Sequence, residues 1–191
     1  GDVNFNLGDI VKQYAHDAAL YFNDEFALNA KWLFNGGVRL TMFQQVGPFD
    51  RFILDPLTDL PTDTIHYDKG EAVATYPNIE PRFAVRYSIN ESSSLKASYS
   101  QNYQYIHLAS LSGISLPTDT WVPSSDRVKP QFGTQYALGY FKNFKNNTYE
   151  TSVEAYYKTM KNQIEYEEGF LPENQVNGNL DNFFVFGKGW S

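Results

Sequence analysis

The chain has 191 residues, no cysteine and a formal net charge of −7, which excludes disulfides and thiolate metal sites and argues against nucleic acid as a partner. Its apolar runs, such as 18–22 and 183–186, are a few residues long, far short of the roughly 20 that a membrane helix needs, and the start GDVNFNLG shows no signal peptide. What stands out is aromatic content, with 15 Phe, 14 Tyr and 3 Trp, residue types that favour strands.

Taken in order, residues 1–10 lack periodicity and read as a loop. From about 12 to 24, Ala18, Leu20 and Phe22 alternate with Asp17, Ala19 and Tyr21, as on a strand; a helix is the alternative, because the segment is poor in β-branched residues. Leu28 to Lys31 reads as a tight turn. A second strand runs to about 43, with Trp32, Phe34, Val38, Leu40 and Met42 on one face and Leu33, Asn35, Gly37, Arg39 and Thr41 on the other. Residues 46–77, with four prolines and many acids, are expected to be a long irregular loop.

The clearest hairpin is 79–106. Phe83, Val85, Tyr87 and Ile89 alternate with Arg82, Ala84, Arg86 and Ser88. After the polar turn Asn90 to Ser94, Leu95, Ala97, Tyr99, Gln101, Tyr103 and Tyr105 alternate with Lys96, Ser98, Ser100, Asn102 and Gln104. Residues 107–130 form a second long loop. A third hairpin carries Phe132, Thr134, Tyr136, Leu138 and Tyr140, then a turn from Asn143 to Thr148. Its second arm sets Tyr149, Val153, Ala155 and Tyr157 against Glu150, Ser152, Glu154, Tyr156 and Lys158. Residues 165–182 are a third, acidic loop, and 183–191 a final strand.

The fold class is therefore all-β, an antiparallel up-and-down meander of about eight strands. Its connectors are sorted. The short ones near 28–31, 90–94 and 143–148 fall at one end of the strands, and the long ones at 46–77, 107–130 and 165–182 at the other. Transmembrane β-barrels sort their connectors in this way. A soluble β-sandwich shows the same alternation with the faces reversed but has no reason to sort its loops.

The segments EPRFAVRY, SLKASYSQNYQYIHLAS, LPTDTWVPSS with VKPQ, QYALGYFKNF with YETSVEAYYKTMKNQIEY, and FVFGKGWS resemble, in that order, the barrel of TonB-dependent outer-membrane receptors, most closely those of Bacteroidetes-type bacteria. The resemblance runs from about Ala15 to the last residue. It implies that residues 1–191 are part of a larger barrel of about 22 strands closed around a plug domain. The implied activity is import of a scarce nutrient, such as an iron chelate, cobalamin or a glycan, across the outer membrane of a Gram-negative bacterium. The implied partners are outer-membrane lipid, the plug of the same parent chain, TonB through a segment nearer the receptor's N-terminus, and a small nutrient ligand. No cofactor and no enzymatic role are implied.

Candidate binding residues lie in the loops and on the polar strand faces. Residues 46–77 set Asp50, Asp55, Asp59, Asp63, Asp68 and Glu71 against Arg51 and Lys69, and 165–181 add Glu165, Glu167, Glu168, Glu173 and Asp181 without a base. Such an acidic mouth attracts cations; ordinary solvated loops have the same composition. Asp63, His66 and Asp68 mix ligand types suited to a divalent ion, although a lone loop histidine is usually just solvated, and no metal site is assigned. Arg39, Arg82 and Arg86 lie on polar faces, where guanidinium groups can grip carboxylates or phosphates of a ligand or of the plug. Trp121 sits in a loop, where its ring can stack on a sugar or simply pack. Tyr99, Tyr103, Tyr105, Tyr136, Tyr140, Tyr149, Tyr157 and Trp32 are candidates for the lipid-facing wall or its aromatic girdles. No nucleophile motif or phosphate-binding glycine loop is present, and paired carboxylates such as Glu150 and Glu154, four apart and so on one face of a strand, are only a spacing without a pocket. The alternative function is a soluble all-β ligand-binding module, with carbohydrate as its candidate ligand. A barrel segment on its own exposes strand edges and an apolar face, so self-association is expected.

Overall fold

The structure, a computed structural model, describes residues 12–55, 57–58, 60–109, 120–145, 148–168 and 181–191. The expected N-terminal loop, most of the segment 107–119, Asp59, Glu173 and the tip of the third hairpin turn lie outside the described residues. The described residues form eleven strands and one turn of 3-10 helix, Asp181–Phe183. Seven strands make a single sheet in the order β1 (Tyr14–Ala27), β2 (Trp32–Val46), β5 (Ala72–Asn90), β6 (Ser93–Gln104), β9 (Gln131–Phe144), β10 (Tyr149–Tyr166) and β11 (Phe184–Trp190). Every neighbouring pair is antiparallel. β1 pairs with β2 along its whole length, which settles its first segment as strand rather than helix. Apart from β11, these strands are 12 to 19 residues long, more than the roughly 9–11 that cross a bilayer.

The turns at one end are short because side chains close them. Asn29 Oδ1 accepts the N–H groups of Lys31 and Trp32 at 2.9 and 3.0 Å, and Asn90 Oδ1 accepts the Ser92 N–H at 3.0 Å. Asparagine mimics a backbone turn in this way. Register then assigns the faces. One cross-strand row holds Phe83, Tyr99, Tyr136 and Tyr157, and the next but one holds Tyr87, Leu95, Tyr140 and Val153. A row on the other face holds Arg86, Lys96, Gly139 and Glu154.

The aromatic-apolar face has no cover among the described residues. Leu20 is 72% exposed, Phe22 68% and Val153 69%. A soluble sandwich would bury such side chains against a second sheet, each worth roughly 1.5–3 kcal/mol. The described core is instead a small group at the loop end, Ala109, Val122, Val128 and Phe184, with Ile164 and Tyr166 packed on it. A sheet polar on one face and apolar without cover on the other is the wall of a barrel whose outside meets lipid.

Two long connectors expected to be irregular contain hairpins. β3 (Phe49–Leu54) pairs with β4 (Pro61–Tyr67) inside the first, and β7 (Ile106–Ala109) pairs with β8 (Thr120–Pro123) inside the second. Of the prolines that suggested irregularity, Pro61 is the first residue of β4, where a missing N–H is tolerated, and Pro77 lies within β5, paired with Met42. Asp55 Oδ1 accepts the N–H groups of Leu57 and Thr58 at 2.8 and 3.2 Å and shapes the β3–β4 turn. β5 also starts earlier than expected, at Ala72. Gly47 closes the base of the first connector. Its N–H bonds the Glu71 carbonyl and its own carbonyl takes the Gly70 N–H, each at 2.9 Å, and a Cβ at Gly47 would run into the carbonyls of Tyr67 and Asp68.

Candidate functional site: a recess beneath three joined loops

The site begins with a proline. The ladder between β5 and β6 runs from the turn to Arg82 and Ser100 and stops there, one residue short of Pro81, which has no N–H to offer. Beyond that point β5 stays paired with β2 while β6 stays paired with β9, so the two strands separate. Glu80 fills part of the gap. It is buried, and its Oε1 accepts the Tyr103 N–H at 3.3 Å, replacing a backbone carbonyl that is no longer adjacent. The opening becomes a recess of about 330 Å³ lined by Asp17, Arg39, Glu80 and residues 102–106.

Tyr105 roofs this region. Expected on the lipid face, it is buried on the polar side, stacked on Phe43 with ring centroids 5.0 Å apart. Its hydroxyl is 2.6 Å from Thr41 Oγ1 and accepts from Asn78 Nδ2 at 3.0 Å. The strand alternation fails at Tyr105 because β6 ends at Gln104 and the chain turns across the polar face. Tyr76, opposite Phe43 on β5, donates from its hydroxyl to the Ser125 carbonyl at 2.5 Å, so the second long connector lies against the same face.

Arg51 ties the long connectors together. It sits on β3 between Phe49 and Ile53 and is only 4% exposed. Its Nη1 and Nη2 make a bidentate pair with Asp126 of the second connector, and Nη2 is 3.9 Å from Asp181 Oδ2 in the third. Asp181, also buried, accepts the Ser125 hydroxyl at 2.6 Å. Asn182 Nδ2 reaches back to the Phe52 carbonyl at 3.5 Å. A planar guanidinium with several fixed donors suits such a junction, where a lysine would not. Burial lowers the Arg51 pKa, opposed by the Asp181 charge. Burial raises the Asp181 pKa, opposed by the Ser125 hydroxyl and by Arg51 and Arg127. The two shifts share one cause: both charges have left water, and each is tolerable because the other is present.

His107 supports the junction from β7. It is fully buried, its Nε2 lies 3.0 Å from Ser124 Oγ, and its Nδ1 has no hydrogen-bond partner among the described residues. Desolvation lowers its pKa to about 4.

The residues singled out from sequence are spread over this architecture. Arg39 lines the recess. Arg82 and Arg86 lie further down the same face, toward the short turns. Trp121, 66% exposed, pairs with Leu108 on the β7–β8 hairpin. On the exposed β4, His66 and Asp63 lie three apart and so point to opposite faces; Asp63 Oδ1 accepts the Thr64 N–H at 2.8 Å. His66 is held instead by Asp50, directly opposite on β3, with Asp68 at 3.6 Å. The hydrogen bond and charge of Asp50, then Asp68 and Glu71, raise its pKa. Among the described residues no cluster is arranged to hold a metal ion. The acidic mouth is partly neutralised, since Asp126 and Asp181 are engaged by Arg51 and Asp50 by His66. Sequence reasoning missed Arg51, Glu80, Ser125 and Asp181 as a group. The alternation Phe49, Arg51, Ile53 carried the one local signal, a cation in an apolar row.

No curated protein and no solved structure matches the chain. Residues 2–183 match the family model for the TonB dependent receptor-like beta-barrel, a family of outer-membrane receptors and transporters rather than enzymes. Sorted connectors, an uncovered aromatic-apolar face and a match spanning nearly the whole chain agree: the chain belongs to the β-barrel family of TonB-dependent receptors.

Proposed function

We propose that residues 1–191 are part of a barrel that imports a scarce nutrient, an iron chelate, cobalamin or a glycan, across the outer membrane with energy delivered by TonB. The observation that carries this reading is the sidedness of the sheet. Its short turns lie at one end, and at the other three long connectors are gathered by Arg51 above a recess on the polar face. In a barrel the polar face is the lumen, so the gathered connectors stand where cargo enters. Arg39 offers that cargo a guanidinium, with Glu80 and Asp17 beside it. Trp121 supplies an exposed ring for stacking, and Asp63, His66 and Asp68 supply the polar rim of the first connector. Arg82 and Arg86 lie deeper, facing the plug.

Residues 1–191 contain no cysteine, so a single cysteine placed in them, in a receptor whose other cysteines are replaced, allows a direct test. In the intact receptor, Leu57→Cys on the first long connector should react with a membrane-impermeant maleimide in whole cells, and Ser92→Cys on a short turn only after the membrane is opened. Labelling of both in whole cells, or the reverse order, overturns the topology. Cargo class is read by deleting the parent gene and testing growth with each nutrient supplied as the only source. Unimpaired growth on iron chelates, cobalamin and glycans alike would reject the import role.

A further inference from the structure

Arg39 on β2 and Glu80 on β5 are direct partners across the ladder, and opposite charges so placed ordinarily attract and pair. These two do not. Glu80 turns its carboxylate to the Tyr103 N–H of β6, standing in for the backbone acceptor lost where the strands part at Pro81. Arg39 is thereby left exposed on the wall of the recess, and among the described residues no carboxylate lies within 4.0 Å of its guanidinium. Asp17, on the same wall, is exposed and has no cation within 4.0 Å among the described residues either. It is opposite Phe43, whereas Tyr21 is opposite Arg39. Its row is therefore four residues of strand, roughly 13 Å, nearer the long connectors, which leaves a ligand's own charges room between the two head groups. Asn102 and Gln104 add amide side chains to the lining, and Ile106 adds an apolar side.

We propose that the recess binds a zwitterionic group of the cargo, an ammonium and a carboxylate carried together, as in an amino acid or a short peptide with free ends. The inference rests on the import reading and adds a chemical requirement to its cargo. Arg39 takes the carboxylate through two parallel hydrogen bonds, and Asp17 takes the ammonium on the connector side. An anion alone would meet one guanidinium set against the carboxylates of Asp17 and Glu80, and a cation alone would leave Arg39 uncompensated. A zwitterion satisfies both signs and, being neutral, is not turned away by the acidic connectors. The volume of about 330 Å³ lies at the small end of the roughly 300–1,000 Å³ of ligand pockets, a size that suits an end group. A neutral glycan offers neither charge.

The test is equilibrium dialysis of the intact, detergent-purified receptor with radiolabelled triglycine, its N-acetyl form, which keeps only the carboxylate, and its C-terminal amide, which keeps only the ammonium. Triglycine is expected to bind about tenfold more tightly than either blocked peptide, the loss that follows when a charged hydrogen-bonding group is left without its partner. Arg39→Gln should abolish the difference between triglycine and its amide, and Arg39→Lys should retain it. Asp17→Asn should abolish the difference between triglycine and its N-acetyl form. Equal affinity for the three peptides, no saturable binding of triglycine, or an unchanged preference in Arg39→Gln overturns the site. Outer-membrane fractionation and heat-modifiable gel mobility of the parent and each variant separate the two readings. A parent receptor missing from the outer membrane sinks the import reading, whereas a correctly inserted receptor that treats the three peptides alike sinks only the zwitterion site.

Discussion

At the scale of single residues, the charge of Arg51 decides more than any other. Removing it leaves Asp181 buried beside a void, and losing one partner of a buried pair typically costs about 3–5 kcal/mol. Asp126 is 41% exposed at its side chain, which places Arg51→Met near the low end, about 3 kcal/mol. Hydrogen exchange should rise together in 49–67, 120–128 and 181–183; a rise confined to 49–67 would mean that the connectors are held independently. His107 gives a pH dependence. Its folded pKa of about 4 lies below the ordinary 6.5, so the unfolded chain binds the proton more tightly. The packing is at full strength above pH 6.5 and weakens as pH falls toward 4, by up to about 3 kcal/mol. Exchange in β7 and β8 should follow that window, and His107→Gln should flatten it. The sequence displays Arg51 and His107 but not their burial. Both sit in hairpins hidden by prolines and acids, and their partners lie 75 and 17 residues away, beyond any local pattern.

At the scale of elements, alternation was legible and termination was not. A two-residue period fixes which side chains share a face, so the faces of β1, β2, β5, β6, β9 and β10 follow from spacing alone. Where a strand leaves its neighbour depends on one missing N–H at Pro81 and on one carboxylate, Glu80, standing in for a backbone acceptor. Neither changes the period. The face assignment makes a contrast between near neighbours. Leu138→Arg places a cation on the lipid side and should cost about 2–4 kcal/mol of insertion. Gln135→Arg, on the opposite face of β9, should insert close to normally. The yield of heat-modifiable receptor in the outer-membrane fraction measures both, and equal yields would contradict the assignment of faces.

At the scale of the whole molecule, the sheet has two free edges, β1 and β11, and an uncovered apolar face. Residues 1–191 produced alone in detergent-free buffer are expected to self-associate through them. Sedimentation should show species well above the 21.9 kDa chain; a monodisperse monomer would count against the lipid-facing assignment. The sorted connectors made the barrel legible from sequence because loop length survives any uncertainty in strand boundaries. The recess was not legible, because it exists only once β5 and β6 part and Tyr105 folds across them.

The Arg51 junction also sets a rule for redesign and divergence. Positions 51, 125, 126 and 181 belong to three separate stretches of chain yet form one unit, so they are free to change only together. The exposed tip at Leu57 and Leu60 carries no such obligation. Transplanting one connector from another receptor would therefore bring new recognition residues without the matching knot, and the borrowed loop would arrive untethered. Moving all three as a set, or confining changes to the tips, keeps the entrance assembled while its chemistry is rewritten.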